Sequence, residues 1–392
     1  MEIAHYFDPV DLLDFTPAAE GPAHIRMGDV IRFHDAASDF PDYVSADIAI
    51  IGVSEERNAV NNEGCALGPD FIRRHLCHLF PGNFKPNVVD LGNIKKGFAI
   101  SDTYFAVSSV IAELLKHNTL PLIIGGSQDL TFAHYQAYEN LGQIINIVSV
   151  DSMFDIGKAE DEVDSRSFLS SIILHQPNFL FNYANIGYQT YFVDQEALAL
   201  MKSLMFDTYR LGVVRQNLDE TEPIVRNADL VTFDISAIRG ADAPGNGNAS
   251  PNGLTAEEAC QITRYAGLSD KLTSIGFFEM NPKFDRSGQT AQLVAQMIWY
   301  FLDGYYSRLK DFPSADDEDY TKYRVTITDH KEELVFFKSK KSDRWWMEIP
   351  LQSDMKVRYQ RHHLVPCSYH DYKTACNNEI PDRWWMVYQK LM

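Results

Sequence analysis

Short apolar segments alternate with longer amphipathic segments along most of the chain. Strands are predicted at 46–53, 88–91, 120–124, 144–150, 185–188, 230–233 and 272–278. Several of these segments are apolar on both faces, as strands buried in a parallel sheet are. Between them, helices are predicted at 69–79, 103–117, 130–141, 255–266 and 289–309. This alternation predicts an α/β domain in which helices cover both faces of a mainly parallel sheet.

The pattern changes near residue 311, where a polar segment at 313–319 predicts a linker. Four of the five tryptophans follow it, and strands are predicted at 323–328, 333–338 and 345–349. The pentapeptide Asp-Arg-Trp-Trp-Met occurs at 343–347 and again at 382–386. Because so short a segment has little core of its own, we predict a small aromatic-rich β appendage packed on the main domain or on a subunit contact. The predicted divisions are an N-terminal extension (1–45), a main domain (46–311) and the appendage (312–392).

The formal net charge of −19 argues against binding to nucleic acids or to anionic membrane surfaces, which attract clustered Lys and Arg. Residues 1–17 lack the basic start and apolar core of a signal peptide. The most apolar helical segment, 293–302, is much shorter than the roughly 20 residues that span a bilayer. Five scattered cysteines without a C-x-x-C pair predict buried free thiols rather than disulfides or a zinc site. These features predict a cytoplasmic protein.

Three predicted strands of the main domain end in acidic residues. Asp151, Asp234 and Glu279 each follow an apolar segment, and Asp155 lies four residues beyond Asp151. Any one of them is also typical of a helix N-cap or a solvated loop. Parallel strands, however, open their carboxyl ends into a shared crevice. Converging carboxylates need a cation, a shared proton or a basic partner, so that the four together indicate a site.

Three motifs at these strand ends give a more specific indication. They are Gly125-Gly126-Ser127-Gln128, Asp151-Ser152-Met153-Phe154-Asp155 and Thr232-Phe233-Asp234-Ile235-Ser236. Their order and spacing resemble G-G-D-H or G-G-G-H, D-A-H-x-D and S-F-D-x-D of the arginase, agmatinase and formimidoylglutamase family. Segments 64–73, 243–254 and 279–291 also resemble family motifs, and residues 182–188 favour the formimidoylglutamase branch. The resemblance covers roughly residues 45–305 and leaves the appendage without a counterpart.

The resemblance implies a three-layer α/β/α fold, a homo-oligomer and a pair of manganese ions that activates water to hydrolyse linear amidines. Carried over by position, one ion is held by Gln128, Asp151, Asp155 and Asp234. The other ion needs Met153 and Ser236 beside the bridging Asp151 and Asp234. Three of the six ligand positions, those of Gln128, Met153 and Ser236, therefore depart from the family pattern.

These substitutions affect the two ion positions differently. A thioether is a poor ligand for manganese and a serine hydroxyl adds no charge, so that the Met153 position predicts loss of the second ion. The first position keeps an all-oxygen set suited to one Mn²⁺, Mg²⁺ or Ca²⁺, or to none. Met153 is also suited to filling a gap, and Gln128 and Ser236 to hydrogen-bonding the carboxylates. Glu279 either faces a cationic or amidine group, as its family counterpart does, or serves as a helix N-cap.

Three functions remain open at this stage. The preferred hypothesis is an arginase-fold pseudoenzyme with a binding or assembly role. The second is an active amidine hydrolase of the formimidoylglutamase kind that uses one ion or an altered site. The third is an interaction protein that contacts a partner through Trp345, Trp346, Trp384 and Trp385.

Overall fold

A computed structural model describes residues 3–11, 25–157, 162–313, 318–328, 333–351 and 356–391. Its main sheet contains β1 (Phe7–Asp8), β2 (Arg32–Phe33), β3 (Ile48–Val53), β4 (Val88–Ile94), β5 (Leu120–Ile124), β6 (Ile145–Val150), β7 (Leu180–Tyr188), β8 (Asp207–Arg210), β9 (Leu230–Asp234) and β10 (Ser274–Phe278). The strand order is β1-β4-β3-β5-β10-β9-β6-β7-β8, with β2 also paired to β4. Only β1 runs antiparallel to its neighbour among these strands. The predicted mainly parallel sheet is confirmed.

Helices cover both faces of this sheet. They are α1 (Met27–Val30), α2 (Gly68–His78), α3 (Ile100–Lys116), α4 (Leu130–Asn140), α5 (Phe168–Leu174), α6 (Gln195–Ser203), α7 (Leu211–Gln216), α8 (Thr221–Arg226), α9 (Ala256–Leu268) and α10 (Gln289–Tyr305). Alternate residues of β3 show the layering, because Ile50 packs with α2, α9 and α10 whereas Ile51 packs with α3 and α4. A central strand such as β3 thus contributes to two cores, which explains why its sequence is apolar throughout.

The C-terminal appendage has its own antiparallel sheet, in the order β11-β12-β13-β14. The strands are β11 (Tyr320–Val325), β12 (Leu334–Ser339), β13 (Trp345–Glu348) and β14 (Leu364–Cys367). Three helices, α11 (Lys356–Tyr359), α12 (Tyr369–Cys376) and α13 (Asp382–Leu391), accompany it. The predicted β appendage is confirmed, whereas its helices and fourth strand were not predicted. Most of the predicted linker, 314–317, lies outside the described residues.

The repeated pentapeptide adopts two different structures. The first copy enters β13 from a turn in which Asp343 has a positive φ of 60°, and Trp345 and Met347 then share one face of the strand. The second copy begins α13 after Pro381, so that Trp384, Val387 and Leu391 are buried along one helical face. Flanking residues therefore decide the structure of identical segments, as expected when turn and proline signals compete with weak local propensity.

The appendage contacts the main domain largely through arginines. Arg226, at the end of α8, donates to the backbone oxygens of Trp345 at 3.2 Å and Cys367 at 3.3 Å, and its guanidinium carbon lies 4.3 Å from the centre of a Trp346 ring. Arg344 of the appendage lies 3.3 Å from Glu222 of α8. Trp345, Trp346 and Trp384 are buried, whereas Trp385 is 41% exposed. The boundaries at residues 45 and 311 stay a prediction.

Two further expectations concern the described residues alone. None of their helices is long and apolar enough to cross a membrane. All five cysteines are free thiols; Cys65, Cys77, Cys260 and Cys367 are buried as expected, whereas Cys376 is exposed.

Candidate functional site

Four neighbouring strands end at one edge of the main sheet. β5, β10, β9 and β6 lie side by side and parallel. β6 leads into Asp151 and the loop containing Asp155, β9 ends at Asp234, β10 leads into Glu279, and β5 leads into the turn containing Gln128. The structure therefore brings together the residues that the strand-end pattern selected.

The turn after β5 depends on a close backbone approach. The amide of Ser127 donates to the backbone oxygen of Glu55 at 3.0 Å. A Cβ atom at Gly126 would lie only 1.8 Å from that same oxygen. Glycine is needed here so that the turn can pack against the segment after β3, and this packing fixes the position of Gln128.

Glu279 is buried and held by neutral donors. Its Oε2 accepts from the Nδ2 of Asn62 at 2.6 Å, and its Oε1 accepts from the backbone amide of Gln128 at 2.7 Å. Its backbone oxygen accepts from Asn62 and from Asn246, at 2.9 and 3.0 Å. The carboxylate thus braces the turn before α4 instead of capping a helix that follows β10, so that the N-cap interpretation is wrong.

The carboxyl groups of the three aspartates accept few hydrogen bonds. Asp151 and Asp234 each accept one from a backbone amide two residues further along the chain, that of Met153 to Asp151 Oδ1 at 3.0 Å and that of Ser236 to Asp234 Oδ1 at 2.6 Å. The Oδ2 atoms of Asp151 and Asp155 are buried without a hydrogen-bond partner among the described residues. Asp155 and Glu279 both have positive φ angles, 52° and 70°. Such strained backbone costs about 1–3 kcal/mol per residue and concentrates at functional sites.

The three substituted positions differ in what they contact. The side chain of Gln128 donates to Thr232 Oγ1 at 3.0 Å, and its Oε1 is buried without a partner among the described residues. The expectation that this side chain hydrogen-bonds a carboxylate is therefore wrong. Ser236 does contact Asp234, as expected. Met153 packs on the apolar cluster that contains Phe154, as a residue that fills a gap does.

Burial dominates the electrostatics of the site. It raises the pKa of Asp155 to about 8, and it raises the pKa values of Asp151, Asp234 and Glu279 well above their usual values. The charges of neighbouring carboxylates raise these pKa values further. Arg166 opposes the shift at Asp155 and Asp234, but it donates to Asn248 at 2.6 Å rather than to a carboxylate. The cluster therefore favours protons or a cation.

Comparison with known proteins places the chain in a family. The pattern of the arginase family matches residues 46–303, well over half of the chain. The chain belongs to the arginase family. Formimidoylglutamase from Staphylococcus aureus strain MSSA476 is 25% identical over 292 residues, which cover 72% of this chain and 94% of that protein. This similarity agrees with the predicted branch.

Solved structures support the fold. Formimidoylglutamase from Bacillus subtilis matches with a TM-score of 0.66 and 19% identity, covering 76% of this chain and 98% of that one. Trypanosoma cruzi formiminoglutamase with Mn2+2 matches with a TM-score of 0.62 and 20% identity, covering 69% of this chain and 100% of that one. The predicted arginase-like α/β/α fold is confirmed.

The arginase-family metal positions fit this chain unequally. At the first position, Gln128 Oε1, Asp151 Oδ2 and Asp155 Oδ2 are orphaned oxygens of the kind that hard divalent cations bind. The second position offers Met153 and Ser236, which do not fit manganese. No three His, Cys, Asp or Glu side chains in the described part of the chain stand close enough to hold an ion together. Asp151 and Asp155 also interact with each other directly, and the charge of Asp155 raises the pKa of Asp151, so that a proton shared by the two carboxyl groups or a cation would satisfy them.

Sequence reasoning missed two residues of the site. Asn62 donates to both the side chain and the backbone of Glu279, and Arg166 supplies the cationic field over the aspartates. Asn62 stands two residues before the G-x-x-x-G-P-like motif that begins at Gly64, a nearby signal that could have been used. Arg166 lies in a polar loop in which no pattern distinguishes it.

Proposed function

We propose that this arginase-family protein is a pseudoenzyme that holds at most one divalent cation and hydrolyses no linear amidine at the rate of its catalytic relatives. The observation that carries the proposal is the pair Met153 and Ser236 at the strand ends, where a second ion needs an imidazole and a carboxylate. Hydroxide delivery by a metal pair depends on both ions. Its remaining role is then binding or assembly.

The first ion position supports the "at most one" part of the proposal. Gln128, Asp151, Asp155 and Asp234 would hold the ion through oxygen atoms. A bound cation would satisfy the orphaned oxygens and remove the need for protons on the aspartates. The ion would supply Lewis acidity, while Glu279, already held by Asn62 and Gln128, would keep its bracing role.

The test combines metal content with activity. We expect elemental analysis of protein dialysed against Mn²⁺ to give one ion or fewer per chain, and an Asp155→Asn variant to give fewer still. Arginine, agmatine and formimidoylglutamate should release no urea or formamide at a rate comparable with that of the Staphylococcus aureus formimidoylglutamase. Two tightly bound manganese ions per chain, or robust product release, would refute the proposal.

A repair variant tests the assignment of the ligand positions. Gln128→His, Met153→His and Ser236→Asp made together should raise manganese binding toward two ions per chain more readily than they raise activity, because residues around the ligands also orient them. A folded triple variant that binds no more manganese than the parent would show that the three positions are wrongly assigned.

Formimidoylglutamate hydrolysis through an altered site is the second candidate. The orphaned oxygens at the first ion position and the buried Glu279 favour it, as does the 25% identity to a formimidoylglutamase. The same assay decides, because turnover that needs a single metal ion per chain and is lost in Asp155→Asn would establish this function instead.

A further inference from the structure

A pocket of about 470 Å³ lies between the main domain and the appendage, at the amino-terminal ends of β6, β7 and β8 and thus at the edge of the sheet opposite to the strand-end carboxylates. β7, the C-terminal end of α6 and the residues before β8 form its domain side, and α11 and α13 form its appendage side. The volume is in the range of small-molecule sites, which are commonly found where two units meet. The appendage side of this pocket lies outside the residues that match the family, 46–303.

Polar and apolar groups contribute about equally to the walls of the pocket, and the apolar part is rich in aromatic side chains. Phe181 and Phe206 line the domain side, Tyr359 lines the appendage side, and Ile144 and Leu180 extend the apolar surface. Phe181 also packs against Tyr359, with 5.7 Å between ring centres, and stacks on His362 at 4.2 Å. Rings fixed in this way present a rigid surface against which a planar apolar group can stack.

The charges in the pocket are all positive. Lys390 and Arg358 line it, and none of its described lining residues is Asp or Glu, although the chain as a whole carries −19. The Lys390 ammonium lies 5.2 Å from the Phe206 ring centre and 5.8 Å from that of Phe181, and it donates to Asn182 Oδ1. In the described part of the chain no carboxylate lies within ion-pair distance of it. Asp207 is the nearest counter-charge that acts on Lys390, and Asn182 lies between the two, donating to Asp207 Oδ2 at 2.7 Å. A half-buried ammonium without a direct ion pair is suited to pairing with an anionic ligand.

We propose that this pocket is a binding site for a small planar aromatic carboxylate, whose ring lies among Phe181, Phe206 and Tyr359 and whose carboxylate pairs with Lys390. Arg358, which is exposed at the pocket, adds a second positive charge. Because the ligand would touch both units, its binding free energy adds to the stability of the folded chain and raises its melting temperature. The site does not depend on the strand-end metal position or on the proposed function.

Burial lowers the pKa of Lys390 to about 8, whereas the charge of Asp207 opposes this shift. The amine is therefore mostly protonated at pH 7 and able to pair with an anion. A bound carboxylate favours the charged form, so that ligand affinity should fall as the pH rises above 8. This pH dependence separates pairing with Lys390 from pairing with Arg358, whose guanidinium stays charged throughout that range.

The test uses the full-length protein and 2-naphthoate as the probe, with neutral 2-naphthamide of the same shape as its partner. By isothermal titration calorimetry at pH 7, we expect one 2-naphthoate per chain and at least tenfold weaker binding of the amide. Lys390→Met should weaken 2-naphthoate binding at least tenfold. The matched control is Lys373→Met on α12, which lies over Tyr369 outside the pocket and should leave binding unchanged.

A second variant keeps the proposal testable if Lys390→Met does not fold. Leu204→Phe adds bulk at the pocket wall and should abolish 2-naphthoate binding. Binding of inorganic phosphate in competition with 2-naphthoate would show that charge alone is recognised and would contradict the aromatic part of the proposal. Failure of 2-naphthoate to bind at millimolar concentration, or equal binding by Lys390→Met and wild type, would overturn it.

Discussion

Two regions of the molecule bury charge in opposite ways. At the interface with the appendage, Asp229 is fully buried but accepts from Arg361 at 2.5 Å, and Lys271 lies 3.8 Å away. At the strand ends, Asp151 and Asp155 are equally buried, yet no Lys or Arg in the described part of the chain forms an ion pair with either. A buried carboxylate with cationic partners serves as a structural contact, whereas one without them must take up a proton or an ion.

The contrast also separates what the family resemblance explains from what it does not. The strand-end carboxylates lie within the segment that matches the arginase family, and burial together with their neighbours' charges raises their pKa values. The interface arginines contact an appendage outside the matched residues, 46–303. One region thus holds buried carboxylates without a Lys or Arg partner in the described part of the chain, whereas the other pairs a buried carboxylate with two cations.

Removing the appendage should lower the stability of the fold more than any other change considered below. A chain that ends at Ser314 leaves Arg226 and Asp229 without their partners from the appendage and exposes Phe181, which packs against the apolar core of the appendage. We expect insoluble protein or a loss of at least about 3–5 kcal/mol, because several contacts are lost together and hydrogen bonds from a charged group such as Arg226 contribute about 1.5–3 kcal/mol each. Soluble yield, thermal melting and size-exclusion chromatography measure it.

The control is full-length Trp385→Ala, because this side chain is 41% exposed and its loss should change melting little. A truncated domain with unchanged melting and unchanged oligomer size would instead favour the interpretation that the tryptophans bind another protein. The same result would show that the contacts between the appendage and the main domain do not stabilise the fold.

Arg226→Met should have the next largest effect. Its side chain is 4% exposed, pairs with Glu222 at 2.8 Å and reaches two backbone oxygens of the appendage. Because Glu222 is 19% exposed and keeps Arg344 at 3.3 Å, we expect a cost of about 1.5–3 kcal/mol, that of a lost hydrogen bond to a charged group, measured by urea unfolding. Arg215→Met is the matched control, since Arg215 pairs with Glu258 but is 48% exposed and should cost about 1 kcal/mol or less. Similar costs for both variants would contradict the structural role of the interface arginines.

At the strand ends, the pH dependence of stability tests whether buried Asp155 takes up a proton. Burial raises the pKa of Asp155 from 3.8 to about 8, so that the folded chain binds more protons than the unfolded chain between these values. Stability therefore falls as the pH rises from about 4 to about 8. In the presence of a chelator, we expect the melting temperature of the wild type to fall more steeply between pH 5 and pH 8 than that of Asp155→Asn.

Asp194→Asn is the control for this pH series. Asp194 accepts from the amide of Ala197 at the start of α6, and Asn caps a helix about as well as Asp does. Its melting curve should follow the wild type at every pH. If the melting temperature of Asp155→Asn depends on pH in the same way as that of the wild type, protonation of Asp155 does not contribute to stability between pH 5 and pH 8.

How far the sequence predicted these features depends on the signal that each one leaves. The seven strands and five helices predicted for the main domain are all present, most of them to within a few residues, because apolar segments such as 120–124 are unambiguous in a parallel sheet. The predictions did not include β1, β2, α1 or the four helices α5 to α8. The strand-end residues were found because three motifs have fixed spacing. The short β8 was missed, since its residues are only partly buried. The helix α13 was not predicted, because the same pentapeptide forms part of a strand at its first occurrence, 343–347.

The interface was harder to foresee than the site. A polar strand end that interrupts an apolar pattern is visible in one sequence, but the partner of Arg226 lies 119 residues away in Trp345 and shares no local pattern with it. Asn62 and Glu279 are similarly distant, 217 residues apart. Long-range polar pairs of this kind are set by the packing of elements, which local periodicity does not encode.

The smallest effect is expected for Arg361→Gln. Arg361 is 49% exposed, so that water already screens part of its attraction to Asp229. After its loss, Asp229 still has Lys271 at 3.8 Å and the backbone amide of Asn146 at 2.9 Å. We expect a cost of about 1 kcal/mol or less in urea unfolding.

Lys271→Met combined with Arg361→Gln removes both cations and turns Asp229 into a buried carboxylate like those at the strand ends. The double variant should therefore lose more stability than the two single variants together, because neighbouring groups that share a partner are not additive. Additive losses, or a cost for Arg361→Gln equal to that of Arg226→Met, would show that cationic compensation is not what distinguishes the two regions.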